Sequence, residues 1–243
     1  MTVRTITLPF RYDQVGSLLR SSNLTEAREQ YKTGTITQNQ LINVENNEIV
    51  RLIEKQKENG VLAITDGEFR RSWWHFDFLG GLDGVEYYEK DKGLDFHQME
   101  TRKEGIRVIG KIGFTTHPFV QHFEFLKQHA GEVVVKQTIP SPKMLIRRVD
   151  MNEEVYQDKE EFKQDIIVAY QKAIQAFYDA GCRYLQLDDT AWADLFSAEG
   201  HEKLRAKGLD PAEELKLMQQ MINESIAKKP EDLTVTMHIC RGN

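Results

Sequence analysis

The sequence predicts an α/β fold built on a parallel sheet or barrel, as one domain spanning residues 1–243. Two observations carry this. Helical and strand-like segments alternate over most of the chain, with roughly 30 residues or more in each βα repeat. Three of the short apolar segments also run directly into acidic, histidine or cysteine side chains, as strands do when their C-terminal ends meet at one functional face. No internal repeat, low-complexity tract or flexible linker divides the chain.

Residues 12–15 form the first, weak strand signal. Thr37 followed by Gln40 is a capping box, in which hydroxyl and amide cover free N–H groups at a helix start. Ile42, Ile49, Leu52, Ile53 and Gln56 then recur at helical spacing, and Gly60 suits the left-handed position that ends a helix. Residues 61–64 are short, apolar and β-branched, which fits a buried parallel strand. Residues 70–105 form a long insertion rich in glycine and aromatic residues, including Gly80, Gly81, Gly84 and Gly93. Insertions of that length in a compact domain are more often functional than idle. Residues 108–112 and 133–137 give two further weak strand signals. Phe162, Ile166, Ala169, Tyr170, Ala173 and Phe177 mark a helix that stops at Gly181, and residues 184–187 are the next strand. Asp210-Pro211 with Glu213 opens another helix, which runs through Met218, Met221 and Ile222 to Lys228 and Lys229. Residues 233–237 complete a set of about six strands.

Composition excludes several classes. Hydrophobic content of 40% with 29% charged residues is ordinary for a globular protein. A net charge of −6 argues against a general affinity for nucleic acid. No apolar run reaches the roughly 20 residues of a membrane span, and Met1-Thr2-Val3-Arg4 does not open a secretory leader. Cys182 and Cys240 are too few for a disulfide framework. The expectation is a reduced, cytoplasmic, acidic enzyme.

The chemistry is expected at the strand ends. Residues 61–64 lead into Thr65-Asp66-Gly67-Glu68, residues 184–187 into Asp188-Asp189, and residues 233–237 into His238-Ile239-Cys240. His238 and Cys240 stand two apart on a strand and share a face, so an imidazole and a thiolate could bind one zinc ion. The plainer alternative is a locally bonded histidine and a cysteine packed as a small hydrophobe. Cys182, at a helix-to-strand junction, is expected to fill the core. His75, His97, His117, His122, His129 and His201 show no metal spacing and are expected at the surface or in loops, with a lesser chance that His117 lines the pocket. Trp73, Trp74 and Phe76 suit a ligand cover and insertion packing equally well.

Four segments, taken in order, resemble one family. They are Gly16-Ser17, Asp66-Gly67-Glu68, Leu185-Gln186-Leu187-Asp188-Asp189, and Thr236-Met237-His238-Ile239-Cys240-Arg241-Gly242-Asn243. Together they resemble cobalamin-independent methionine synthase, in particular the catalytic domain as found in short single-barrel bacterial relatives. The resemblance implies a (β/α)₈-type barrel, here incomplete with about six of eight βα units. It implies transfer of a methyl group from a folate, or another donor, to the thiol of homocysteine, giving methionine. His238 and Cys240 would be zinc ligands. Glu68 and Asp188 would act in catalysis by holding the substrate ammonium, Gly16 and Ser17 would bind its carboxylate, and Asp189 is a weaker substrate-binding candidate.

Two departures from the family pattern shape the expectation. The family draws a glutamate, a second cysteine and a proton-donating histidine from further along the chain, beyond Asn243. The zinc site and the barrel are therefore expected to be incomplete here, as in a truncated product. Where the long enzyme stacks its folate on a tryptophan, this sequence has Arg147-Arg148. Two other readings stay open: alkyl transfer to another small thiol such as coenzyme M, and a metal-free, non-catalytic fragment or binding module. Self-association into a homo-oligomer is also left open.

Overall fold

The computed structural model describes residues 8–89, 95–96, 99–100, 104–149 and 151–240. The expectations that fall on Met1-Thr2-Val3-Arg4, Gly93, His97 and Arg241-Gly242-Asn243 lie outside these residues. In chain order the elements are α1 (Ser22–Lys32), α2 (Gln38–Glu58), β1 (Ala63–Ile64), α3 (Phe76–Leu79), β2 (Asp83–Glu89), β3 (Asp95–Phe96), β4 (Met99–Glu100) and β5 (Glu104–Gly113). They continue with α4 (Pro118–Ala130), β6 (Val134–Val135), β7 (Gln137–Pro140), α5 (Lys143–Arg148), α6 (Lys159–Asp179), β8 (Tyr184–Asp189), a 3₁₀ turn (Ala191–Leu195), α7 (Ala198–Ala206), α8 (Pro211–Ile226) and β9 (Thr234–Ile239).

The fold is α/β. β1 pairs in parallel with β6, while β7, β8 and β9 form a parallel sheet in that order. β6 and β7 are separated by Lys136 alone, so they act as one strand that meets β1 at its start and β8 at its end. The result is an open arc of four parallel positions with α2, α4, α6 and α8 following in the βα manner; no closed barrel forms among the described residues. One face of the arc is apolar: Ile139, Leu185 and Leu187 are buried there with α6 residues Ile166, Tyr170 and Phe177. The other face carries Lys136, Thr138, Gln186, Asp188, Thr236 and His238 at alternate positions, because successive strand side chains point to opposite sides.

Two of the six expected strands do not join this arc. Residues 12–15 are irregular. Their carbonyls are met by side chains instead of a neighbouring strand, with Lys136 Nζ donating to Gln14 O and Gln186 Nε2 donating to Val15 O at 2.8 Å. Residues 108–112 are extended but belong to β5, which pairs antiparallel with β2 as a hairpin of the insertion. Local β-propensity identified the extended backbone there but not its partner, which lies about twenty residues back across a loop.

The helix ends follow their sequence signals. Thr37 accepts from Gln40 N and the Gln40 side chain accepts from Thr37 N at 2.8 Å, completing the capping box. Gln56, which shares the apolar stripe of α2, has its own task. Its amide donates to Thr65 O at 2.8 Å and accepts from Thr65 N at 3.1 Å. This side chain takes the place of a neighbouring strand and explains why β1 stops after Ile64. Cys182 is fully buried and its thiol donates to Tyr184 O, as expected for core filling.

Candidate active site

The chain leaves β1 through a left-handed turn, with φ of 62° at Gly67 and 58° at Glu68. A non-glycine residue rarely adopts this conformation, and such strain is concentrated at functional sites. The turn aims the Glu68 carboxylate inward, where it is 4% exposed. Glu68 Oε2 accepts from Ser17 Oγ at 2.6 Å, and Oε1 accepts from Thr138 Oγ1 and Arg71 Nη1, both at 3.2 Å. Arg71 is itself buried. It donates to Thr138 O at 2.6 Å and lies over the Phe119 ring, 4.5 Å from its centroid.

Asp188 and Asp189 end β8 and point in opposite directions. Asp188 faces the inside of the arc, in register with His238 on β9. Its Oδ1 accepts from Gln186 Nε2 at 2.6 Å, and no ion pair reaches it among the described residues. Burial pushes its pKa up to about 7; the Gln186 hydrogen bond opposes this, the charge of Glu68 adds to it, and Arg71 and Lys136 offset part. Asp189 turns to the outer side, where Ser141 Oγ donates to Oδ2 and Ala191 N donates to Oδ1 at 2.5 Å. Its carboxylate is thus committed to fixing the chain after β7 and β8, although the residue still borders the cavity.

A cavity of about 300 Å³ opens at this end of the arc, lined by Val15, Gly16, Ser17, Glu68, Trp74, Asp188, Asp189, Thr190, His238 and Cys240. The residues to which the resemblance gave a substrate, catalytic or metal role, Gly16, Ser17, Glu68, Asp188, Asp189, His238 and Cys240, all lie on it. His238 is partly buried and held toward the neutral form, first by burial and then by the charge of Lys136. Cys240 N donates to Asp189 O at 2.9 Å, which extends the β8–β9 pairing to the cavity rim. Imidazole and thiol therefore stand two residues apart on one strand, a donor pair suited to zinc. Among the described residues no group of three or more histidine, cysteine, aspartate or glutamate side chains is placed to hold a metal ion.

Sequence reasoning did not identify Arg71, Thr138, Gln186 or Lys136, which support the two acids. Trp74, ambiguous in sequence, lines the cavity. His117 does not: its Nδ1 accepts from Phe119 N as the cap of α4, and its Nε2 bonds with Phe78 O at 2.9 Å. His75 and His117 lie in the short segments before α3 and α4, as expected of loop residues, but they are buried there, at 1% and 5% exposure.

Residues 11–243 match the model of the cobalamin-independent synthase catalytic domain. The chain belongs to this family. YxjG of Bacillus subtilis, an uncharacterized protein, is 53% identical over 236 residues, which cover 97% of this chain and 62% of that one. A methionine synthase of Sulfolobus acidocaldarius is 25% identical over 228 residues, covering 94% and 60%. The crystal structure of a Listeria monocytogenes protein provisionally named a vitamin-B12-independent methionine synthase superposes with a TM-score of 0.82 at 48% identity, over 98% of this chain and 67% of that one. The chain thus spans about 62% of the length of YxjG, and its α/β fold is that of the family's barrel-type catalytic domain. Among the described residues no helix is long and apolar enough to cross a membrane.

Proposed function

We propose that this chain carries the amino-acid site of a methyltransferase that moves a methyl group from a folate or another donor to the thiol of homocysteine. The observation that carries the proposal is Asp188: a buried carboxylate beside Glu68 with no cation bonded to it among the described residues. A buried charge of this kind is costly unless paired, and a ligand ammonium between Asp188 and Glu68 supplies the partner. Gly16 and Ser17 line the same cavity, where their backbone N–H groups suit the ligand carboxylate while the Ser17 hydroxyl holds Glu68 in place. The cavity volume suits an amino acid of this size.

His238 and Cys240 are the residues of this chain that would hold zinc. Bound there, zinc would keep a substrate thiol ionised near neutral pH, where a free thiol is mostly protonated. The chain's own contribution is to orient the acceptor: Glu68 and Asp188 grip the ammonium, and Trp74 closes one wall against water. Family membership supports this reading, and two acids in one cavity favour an amino-acid thiol over a sulfonate thiol such as coenzyme M.

Calorimetric titration tests it. L-homocysteine and L-methionine are expected to bind while 2-mercaptoethanesulfonate does not, and Asp188→Asn should weaken methionine binding by about tenfold or more. Since a protonated Asp188 cannot pair with an ammonium, affinity should also fall as the pH drops below about 7. Equal binding of the sulfonate, or undiminished binding by Asp188→Asn, would count against the assignment.

A further inference from the structure

Three side chains of the arc hold the segment that leads into Gly16 and Ser17. Residues 12–15 pair with no strand among the described residues, yet their polar atoms are bonded one after another. Tyr184 Oη donates to Asp13 Oδ2 at 2.5 Å, and Lys136 Nζ pairs with Asp13 Oδ1 at 3.0 Å. Gln14 O accepts from the same ammonium, and Val15 O accepts from Gln186 Nε2 at 2.8 Å. Tyr184 and Gln186 stand two apart on β8, on the face that also carries Asp188.

Gln186 makes two attachments with one amide nitrogen. Nε2 donates to Val15 O and, at 2.6 Å, to Asp188 Oδ1, while Oε1 accepts from Lys136 Nζ at 2.9 Å. An ammonium only donates and a backbone carbonyl only accepts, so Lys136 fixes which way this amide faces. All three protons of Lys136 are committed, to Asp13, Gln14 and Gln186. Lys136 and Gln186 are both buried, which strengthens these bonds over the same bonds in water. A trans peptide is planar, with its C=O and N–H opposed. Holding Val15 O against Gln186 therefore turns the Gly16 N–H away from the sheet, at a residue that lines the cavity. One side chain thus fixes Asp188 and the peptide before Gly16 relative to each other.

We propose that Gln186, oriented by Lys136, is a positioning residue that sets the spacing between the ammonium grip at Asp188 and the carboxylate grip at Gly16 and Ser17. The site then selects an α-amino acid over its β-amino homologue, in which one more methylene separates the two charged groups. The class of ligand rests on the amino-acid reading above; the pinning of residues 13–15 rests on the hydrogen bonds alone. Gln186 touches no ligand in this scheme and acts through Asp188 and the Val15–Gly16 peptide.

The test compares the natural 243-residue chain with Gln186→Met, Gln186→Glu and Met221→Ala. Gln186→Met is close in size and cannot donate. Gln186→Glu also loses the donating nitrogen but still accepts from Lys136, and it carries the test if Gln186→Met fails to fold. Met221→Ala loosens the core on α8 and serves as the control for general destabilisation. Without ligand, the Leu18 amide, which donates to Gly67 O at 3.1 Å, should exchange its hydrogen at least about tenfold faster in both Gln186 variants than in the natural chain and Met221→Ala. By calorimetry, the natural chain and Met221→Ala should bind L-methionine roughly tenfold or more tighter than its β-amino homologue, and that preference should shrink to about threefold or less in both Gln186 variants. Both ligands carry the same two charged groups, so the ratio cancels the added charge of Gln186→Glu. Unchanged Leu18 exchange or an undiminished preference in the Gln186 variants overturns the proposal, as does equal binding of the two homologues by the natural chain. Failure of the natural chain to bind L-methionine at all strikes the amino-acid reading. Faster Leu18 exchange in the Gln186 variants would then still support Gln186 as the residue that holds the Gly16–Ser17 segment in place.

Discussion

Asp188 stands in an environment that its residue type does not prefer. It is a carboxylate placed on the inner face of a sheet with an amide as its bonded partner, and burial holds its pKa near 7. The sign of the consequence follows from linkage. In the unfolded chain the group ionises near its ordinary value of about 4, so between about pH 4 and pH 7 folding requires either taking up a proton or burying a charge. The contribution of Asp188 to stability is therefore full below about pH 4, lost progressively up to about pH 7, and constant above. Each pH unit in that window is worth about 1.4 kcal/mol, so the loss between pH 5 and pH 8 is on the order of 2–3 kcal/mol. Asp188→Asn keeps an oxygen to accept from Gln186 and cannot ionise. Urea unfolding at pH 5 and pH 8 should show the variant losing less stability over that interval than the natural chain, by about that amount. Parallel losses in both proteins would mean that Asp188 is solvated and not held as described. The same burial is what a ligand ammonium relieves, so the strain at this residue and its proposed use have one cause.

At the scale of elements, the turn after β1 is where conformation and site are most closely joined. Gly67 has φ of 62°, and a Cβ there would meet Leu52 Cδ2 at 2.6 Å and Leu18 Cβ at 3.2 Å. Gly67→Ala should therefore cost about 1–3 kcal/mol through backbone strain and overpacking together, and weaken methionine binding by shifting Glu68. Gly34 gives the control. Its φ is 74° but nothing lies within 4 Å of a Cβ, so Gly34→Ala should cost only the backbone part, about 1 kcal/mol, and leave binding unchanged. Equal losses in the two variants, read by denaturant unfolding and calorimetry, would remove the packing argument. This turn also shows what was legible in the sequence. A short β-branched run followed by Asp66-Gly67-Glu68 reads locally as a buried strand with a polar end, and the same holds for Asp188 and for His238 and Cys240. Capping signals at Thr37 and Asp210 were equally local. What could not be read was every assignment that depends on a distant partner. Residues 12–15 carry a weak strand signal, yet the carbonyls of Gln14 and Val15 are taken by Lys136 and Gln186, 122 and 171 positions away along the chain. Residues 108–112 are extended in any reading, but only the hairpin with β2 shows that they lie outside the parallel arc. Arg71 and Thr138 gave no signal for the same reason: their importance is their contact with Glu68, not their place in a motif.

For the whole molecule, the order of the strands sets a gradient of local stability. β8 is central: β7 and β9 flank it, and all six of its residues are buried. β9 has a neighbour on one side only among the described residues, and all six of its residues are partly or largely exposed. Amides of β8 are bonded on whichever side they point. Those of β9 alternate between bonds to β8 and an edge with no strand partner, and exposed edges open at low free energy. Native-state hydrogen exchange should therefore find the amides of Tyr184–Asp189 exchanging with the slowest class. The outward-facing amides of Thr234–Ile239 should exchange at least about a hundredfold faster. The prediction separates two physical states of the molecule. If the fast class is seen and light scattering gives a monomer, the edge is open in solution and His238 and Cys240 sit on the least rigid strand of the site. Zinc or an amino-acid ligand should then slow β9 exchange selectively, since a ligand that bridges β8 and β9 stabilises only states in which both are formed. If β9 is instead as protected as β8 at low concentration and without ligand, a second copy of the chain or another segment covers the edge. The open edge of the arc would then be covered in solution, and the rigidity of the candidate site would come from that covering strand and not from β8 alone.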